Sequence, residues 1–501
     1  MEARDKGTAL GQGGLSLGVA KLFFLVAGYV VSVALAGLLT PKAFGQYRVV
    51  SDLVAVPNMV LIQSLLFAVS RPMSAVLAAG EEQQRPIYAG LRRRGFVMAL
   101  GLGGLVTVVF LLGAELLARL YFQDPATVTP LRVVAPIPLI YAMYAVNVGT
   151  LNATRRFHLQ ATLDIFMAAT KTGLMLAAAA VGFGLGGVMG GFTGASLLAL
   201  TLSTVFIAWS QGEFRGGGNG SAENGRVVLP AMARFTGLLL VFTGVVNLLV
   251  AADLLILQKF VTSEAQKDLV GFYSSANLVA RVPYSIMVAV SLVMFPLVAT
   301  LHARQDQQQI SRYVSATTRV CVVLLAFMSA VGASAAPEVQ RLLFPAAYGQ
   351  VAAELRYLVW GLSGYSLTVT AAWICNSNHQ SRLALLLVGL PLATVAVSGW
   401  LLVPQAFTSG AAMAVAIAGG VGAAAALAVL YRFYGARLSP GFVLKLAGAI
   451  AAVELAARVW TPGGKLGILI KLVGLAAVFG GVVLGSRAVT VAEVKGLRRV
   501  R

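Results

Sequence analysis

The side chains in this sequence that could do chemistry are few, and nearly all of them interrupt long apolar runs. Ser274, Asn277, Arg281 and Ser285 follow an i, i+3, i+7, i+11 pattern that places them on one helical face. An ionisable group in an apolar segment needs a partner or a water-filled cavity, and a polar stripe on a lipid-facing helix would be costly. The stripe is therefore expected to line a substrate cavity, the alternative being that Arg281 is paired structurally with an acid such as Asp253. Lys21 shares nearly one face with Gly28 and Ser32, and is read either as a second cavity cation or as a side chain reaching back to the headgroups. Asp52, with Met59 and Gln63 on its side, is a further cavity candidate, and Thr236, Thr243 and Asn247 form a weaker polar stripe. Asp253 is a candidate for holding a coupling cation. Asp164 and Lys171 lie seven residues apart on one face and are expected to pair with each other. Asp253, Asp164 and Lys171 are thus the candidates for coupling to Na⁺ or H⁺, and no other cofactor is expected.

Other chemistries find no support. The nearest approach to a phosphate-binding GxxxxGK[ST] loop, Gly463-Gly464-Lys465, is followed by Leu466. His158, His302 and His379 are isolated from one another, and Cys321 and Cys375 sit in or at the end of apolar runs without a neighbour at metal-ligand spacing. Neither an enzyme nor a nucleotide-burning pump is indicated, and no metal site.

The elements that must position these residues follow from composition. Of 501 residues, 58% are hydrophobic and 11% charged, with a mean hydropathy of +0.84; soluble chains carry about 25% charged residues. Fourteen segments are long enough to span a bilayer, at about 18–39, 48–69, 95–118, 131–151, 163–182, 186–209, 235–258, 271–300, 317–336, 355–375, 383–402, 409–431, 441–459 and 467–486. The first follows a short charged start but is too long for a cleaved signal and lacks a small-residue cleavage site, so it is expected to be retained. The net charge of +20 raises the possibility of nucleic acid, but its distribution fits a membrane topology. With the N-terminus inside, the inner loops and tails hold roughly 24 Lys and Arg and the outer loops about 11. Both termini are then cytoplasmic, and the clusters Arg92-Arg93-Arg94 and Lys495 to Arg501 face the inner leaflet, where contact with anionic membrane lipids is expected.

A glycine-rich polar linker at 212–226 divides the chain, and the two sides repeat one another. RLYF at 119–122 recurs as RLLF at 341–344 (341 − 119 = 222), and Leu131-Arg132 as Leu355-Arg356 (356 − 132 = 224). Asn152 recurs as Asn376 (376 − 152 = 224), and Gly45-Gln46-Tyr47 as Gly271-Phe272-Tyr273 (271 − 45 = 226). Two six-helix repeats with a parallel pseudo-twofold are expected, because an even number of spans gives both the same polarity. The expected organisation is a first lobe at 1–211, a linker at 212–230, a second lobe at 231–435 and two added helices with a basic tail at 436–501. Six glycines between Gly182 and Gly194 carry small-xxx-small spacings suited to close helix packing. Pro57, Pro136, Pro138, Pro283 and Pro296 are expected to break or bend spans.

The stretches AFGQY (43–47), NATRRF (152–157) and VGFYSSANL (270–278), with Asp253 and Phe295-Pro296, resemble the polysaccharide flippases of the multidrug/oligosaccharidyl-lipid/polysaccharide exporter superfamily. That resemblance implies an all-α, V-shaped pair of six-helix lobes working by alternating access. It also implies a cargo of undecaprenyl-diphosphate-linked oligosaccharide, moved from the inner to the outer leaflet of the bacterial inner membrane for cell-surface polysaccharide. A polymerase or ligase of the same pathway is an implied partner; nucleic acid is not. Arg281 and Lys21 would face the diphosphate. Two rivals share the superfamily: a lipid II flippase, which would have several arginines in its first two spans where this chain has Lys21 and a bordering Arg48, and a cation-coupled drug exporter, which would want carboxylates at the best-placed positions.

Overall fold

A computed structural model describes residues 2–78, 85–210, 224–303, 307–378 and 380–487, and among them every regular element is helical. The chain divides into two compact units, Met1–Asn247 and Leu248–Arg501. The first contains α1 (Glu2–Leu38), α2 (Pro41–Ala78), α3 (Arg85–Leu120), α4 (Val128–Val134), α5 (Ile137–Ala153), α6 (Phe157–Ala180), α7 (Gly184–Ser210) and the start of α8 (Asn224–Lys259). The second holds the rest of α8 and then α9 (Glu264–Ala303), α10 (Gln307–Ser334), α11 (Ala336–Leu343), α12 (Ala352–Ser377), α13 (Ser381–Tyr434), α14 (Pro440–Val459) and α15 (Gly464–Gly485). The linker at 212–226 and the tail cations from Lys495 onward fall largely or wholly outside the described residues.

Eleven of these helices are long and apolar enough to cross a membrane. Two more, α9 and α14, have 40 and 20 residues, enough to cross about 30 Å at 1.5 Å per residue. The 54 residues of α13 are two spans in one run of helix, divided at Phe407, whose φ of 44° and ψ of −111° are not helical. Eight residues of straight helix would separate Leu402 from Gly410 by about 12 Å. Instead a Cβ on Gly410 would stand 2.2 Å from the Leu402 carbonyl oxygen, so the chain doubles back there.

Of the prolines expected to break or bend spans, most do not interrupt the helix. Helix runs through Pro57 in α2 and through Pro283 and Pro296 in α9, and only Pro136, between α4 and α5, marks an interruption. In a bundle, neighbouring helices and local adjustment accommodate the missing N–H, so proline alone does not dictate a break.

In the first unit α2 packs on α5 through Leu61, Leu65, Val69, Met73, Ala142, Ala145 and Val146, while α1 packs on α6 and α6 on α7. In the second, α12 is the most enclosed span and packs against α9, α10 and α13. The closest backbone approach involving these helices is at Gly364, where a Cβ would stand 2.2 Å from the Gly419 carbonyl oxygen. Of the glycines expected to serve this purpose on α7, Gly191 meets the Leu174 backbone, whereas Gly186, Gly190 and Gly194 make only ordinary contacts. The spacing is thus used there at one position, and the tightest crossing lies elsewhere. The two added helices α14 and α15 close on α10 through Phe442, Leu446, Val453, Leu475 and Phe479 around Ala326 and Ala330. Large apolar side chains such as Leu112, Leu444 and Val459 remain exposed, as lipid-facing surface would be.

Both units build one corner from positions that correspond in the repeat. In the first, Asp124 accepts from Gln46 (3.0 Å) and pairs with Lys42 (2.8 Å). In the second, the matching positions are Asp268, Phe272 and Tyr348 (268 − 42 = 226, 272 − 46 = 226, 348 − 124 = 224), and the Phe272 and Tyr348 rings meet edge-on at 5.0 Å.

Candidate functional site

The sequence-predicted residues fall into two clusters, one in each unit. In the first unit α1 and α6 bring Lys21 to Asp164, with Nζ 2.8 Å from Oδ2. This replaces the expected pairing of Asp164 with Lys171: on α6 the two are seven residues apart, but the cation within reach comes from α1. Lys171 instead lies with Nζ 3.9 Å from the centroid of the Phe192 ring on α7, a cation–π contact. Phe192 in turn meets Tyr141 edge-on, and Tyr141, Tyr144, Met167 and Ser196 line a small internal cavity. Among the described residues, the Tyr144 hydroxyl has no hydrogen-bond partner.

One turn apart on α2, Arg48 and Asp52 are both buried, 7% and 6% exposed. Among the described residues, neither Nε nor Nη2 of Arg48 has a hydrogen-bond partner, and Arg48 is near enough to Lys171 for the two cations to repel. The interior of this unit thus carries a guanidinium with donors to spare beside a second cation. Sequence reasoning placed Arg48 at the border of a span and passed over it; the helical register, four residues before Asp52, was the signal that puts both on one buried face. Near the end of the unit Thr243, buried, donates to Gln63 Oε1 (3.2 Å), and Asn247 donates to the Thr243 carbonyl (2.8 Å). Thr236 has no described side chain.

In the second unit the cluster forms where α8 meets α9. Asp253, 3% exposed, accepts at Oδ2 from the Tyr273 hydroxyl (2.8 Å) and from Asn277 Nδ2 (2.6 Å). Arg281 donates from Nη2 to the Val250 carbonyl (2.9 Å), and Ser285 donates to the Arg281 carbonyl (3.0 Å). Ser274 is fully buried and bonds back to Val270 O (2.7 Å). Ser274 and Asn277, both at 0% exposure, are packed inside the unit rather than lining open space in this conformation. Within the stripe Ser274 and Asn277 are buried, whereas Arg281 and Ser285 are partly exposed. Tyr273 and Asn277 thus fix the position of the buried Asp253 carboxylate. Tyr273 was legible only as part of a motif, and its role comes from the crossing of α8 and α9.

A third polar centre was not anticipated. Glu354, buried at the start of α12, accepts at Oε1 from Thr408 Oγ1 (2.9 Å) and Ser409 Oγ (2.8 Å), the residues directly after the Phe407 break. Lys471 on α15 is buried and pairs with Glu338 on α11. Among the described residues no three His, Cys, Asp or Glu side chains gather as a metal site.

The profile of the family described as polysaccharide biosynthesis protein matches residues 34–353, more than half of the chain. The chain belongs to that family. No curated protein matches it in sequence. Solved structures agree on the fold of this polysaccharide biosynthesis protein. The lipid II flippase MurJ in an inward closed conformation matches with a TM-score of 0.73 at 11% identity, over 93% of this chain and 98% of that one. An inward-facing multidrug resistance MATE transporter of the MOP superfamily gives 0.61 at 13% identity, over 84% and 100%. A MOP superfamily transporter from Pyrococcus furiosus, described by a binding pocket of reversed polarity, gives 0.61 at 14% identity, over 85% and 96%. The chain therefore shares its all-helical fold with these transporters, and the family read from its short motifs is supported by the matching profile.

Proposed function

We propose that this protein is a flippase that carries an undecaprenyl-diphosphate-linked oligosaccharide from the inner to the outer leaflet of a bacterial inner membrane, with both termini cytoplasmic, by alternating access and without catalysing a reaction. The observation that carries this reading is Arg48, whose buried guanidinium retains N–H donors without partners beside Lys171. A buried guanidinium with unsatisfied N–H donors is costly unless an anion visits it, and a diphosphate offers fork-matched oxygens to such a group. Lys21, paired with Asp164, and Arg281, bonded to the Val250 carbonyl, are the further cations proposed to meet the diphosphate. Asp253 is the proposed site of Na⁺ or H⁺ coupling, because it is a buried carboxylate that Tyr273 and Asn277 hold in place. The family supports a polysaccharide precursor as cargo, and the product would pass to a polymerase or ligase of the same pathway.

Lipid II is the second reading, favoured by the likeness in fold to MurJ; it shares the diphosphate and differs in the glycan. The test is to delete the protein and restore wild type, Arg48→Gln or Arg281→Ala at matched membrane levels. The expected result is a lipid-linked oligosaccharide stranded in the inner leaflet, rescued by wild type and at least about tenfold less by Arg48→Gln, the loss expected for one charge-assisted phosphate contact. Accumulation of lipid II would replace the cargo, and no accumulation of either would overturn the reading.

A further inference from the structure

The second unit is strongly polarised in a way the transport reading does not use. Residues 307–337 and 355–453 contain no Asp or Glu. Six of their seven cations gather at one end, where α10 begins, α13 both begins and ends, and α14 begins: Arg312, Arg319, Arg382, Arg432, Arg437 and Lys445; the seventh, Arg356, stands at the start of α12. The structure ties three of these elements together at that end. Ser311 donates to the Tyr434 carbonyl at the close of α13 (2.7 Å), which sets Arg312 beside the turn that follows Arg432. Arg319 Nη2 reaches the Arg437 carbonyl (3.5 Å), and the Arg437 guanidinium lies over the Tyr431 ring, 5.4 Å from its centroid. Beside these cations Tyr431, Phe433, Val443 and Leu444 are exposed, between 50% and 75%.

Aromatic and aliphatic side chains exposed next to fixed guanidinium groups at the ends of spans suit one chemistry, a negatively charged headgroup with its acyl chains alongside. We infer that this end of the second unit is a docking surface for an anionic phospholipid, seated where the added pair α14–α15 joins the core. Topology alone asks only for cations somewhere in the loops. Here they come from three helices, two of them are held by backbone and ring contacts, and the facing surface is apolar and open. The inference is independent of the cargo and stands whichever glycan is moved.

The experiment is native mass spectrometry of the full-length protein in detergent with graded phosphatidylglycerol or phosphatidylcholine. It compares wild type, Arg319→Gln/Arg437→Gln, and a control that removes the same charge from two exposed side chains outside this cluster, Arg341→Gln/Arg356→Gln. Wild type and the control are expected to retain phosphatidylglycerol over phosphatidylcholine, and the first variant to bind it about tenfold or more weakly, as loss of two surface cations implies. Excess inorganic phosphate should not displace the lipid. Equal loss in the control, equal retention of both lipids, or displacement by phosphate would overturn the inference. If Arg319→Gln/Arg437→Gln fails to fold, Arg312→Gln/Lys445→Gln, which alters two exposed side chains, takes its place with the same outcomes.

Discussion

Asp253 illustrates what a buried carboxylate demands of its neighbours. Its Oδ2 is shared by Tyr273 and Asn277, so removing it leaves a hydroxyl and an amide facing an apolar interior. Asp253→Ala is expected to lower stability in detergent by about 2–4 kcal/mol, two buried donors losing their acceptor, while Asp253→Asn loses less because its amide oxygen still accepts. Thermal unfolding of the two variants checks the order, and equal losses would show that the charge rather than the acceptor matters. The polar residues themselves were legible in the sequence, because each is conspicuous against an apolar run. Their partners were not. Lys21 and Asp164 are 143 positions apart (164 − 21 = 143), and nothing in the periodicity of α6 announces that α1 supplies the nearer cation. Arg48 was missed for the opposite reason, since its position at the edge of a span made burial look unnecessary.

The helices were the most legible feature, since apolar length alone locates them. Where they break and where they touch was much less so: five prolines suggested interruptions and one marks a break, while the sharpest turn falls on Phe407. A break of helix depends on which neighbours can take up the freed groups, and at 404–409 the neighbour is Glu354, a residue of another helix. Gly364→Val should fail to insert or lose stability sharply, since even a Cβ would stand 2.2 Å from the Gly419 carbonyl, whereas Gly190→Ala should be tolerated. Membrane yield and melting temperature of the two variants separate these outcomes. The pair α14–α15 is held by a buried ion pair, and breaking one side of such a pair costs about 3–5 kcal/mol. Lys471→Met is expected to be damaging by itself and to be rescued by a simultaneous Glu338→Leu, measured by the same melting curves. No recovery in the double variant would mean that the pair does more than fill the interface.

At the scale of the molecule, positions 224–226 residues apart carry an ionic corner in one unit and an aromatic one in the other. The corner is Lys42, Gln46 and Asp124 in one and Phe272 with Tyr348 in the other. The offset of 222–226 residues was visible in the sequence because short landmarks survive at helix ends, while the exchange of an ionic for an aromatic corner was not, since neither motif repeats the other's residue types. The proposed topology puts both ends of the chain on one side. Reporters fused to each end should therefore be active in the same compartment, and opposite signals would require an odd number of crossings.

The doubled-back turn around Phe407 also bears on how the protein is made. Between Leu402 and Gly410 the chain presents no charged side chain and reverses within a few residues. There is no stop for the insertion machinery to read and no loop long enough to be delivered separately. The two halves of α13 must then enter the bilayer together, as a preformed hairpin whose tip slips through rather than as successive strokes of the nascent chain.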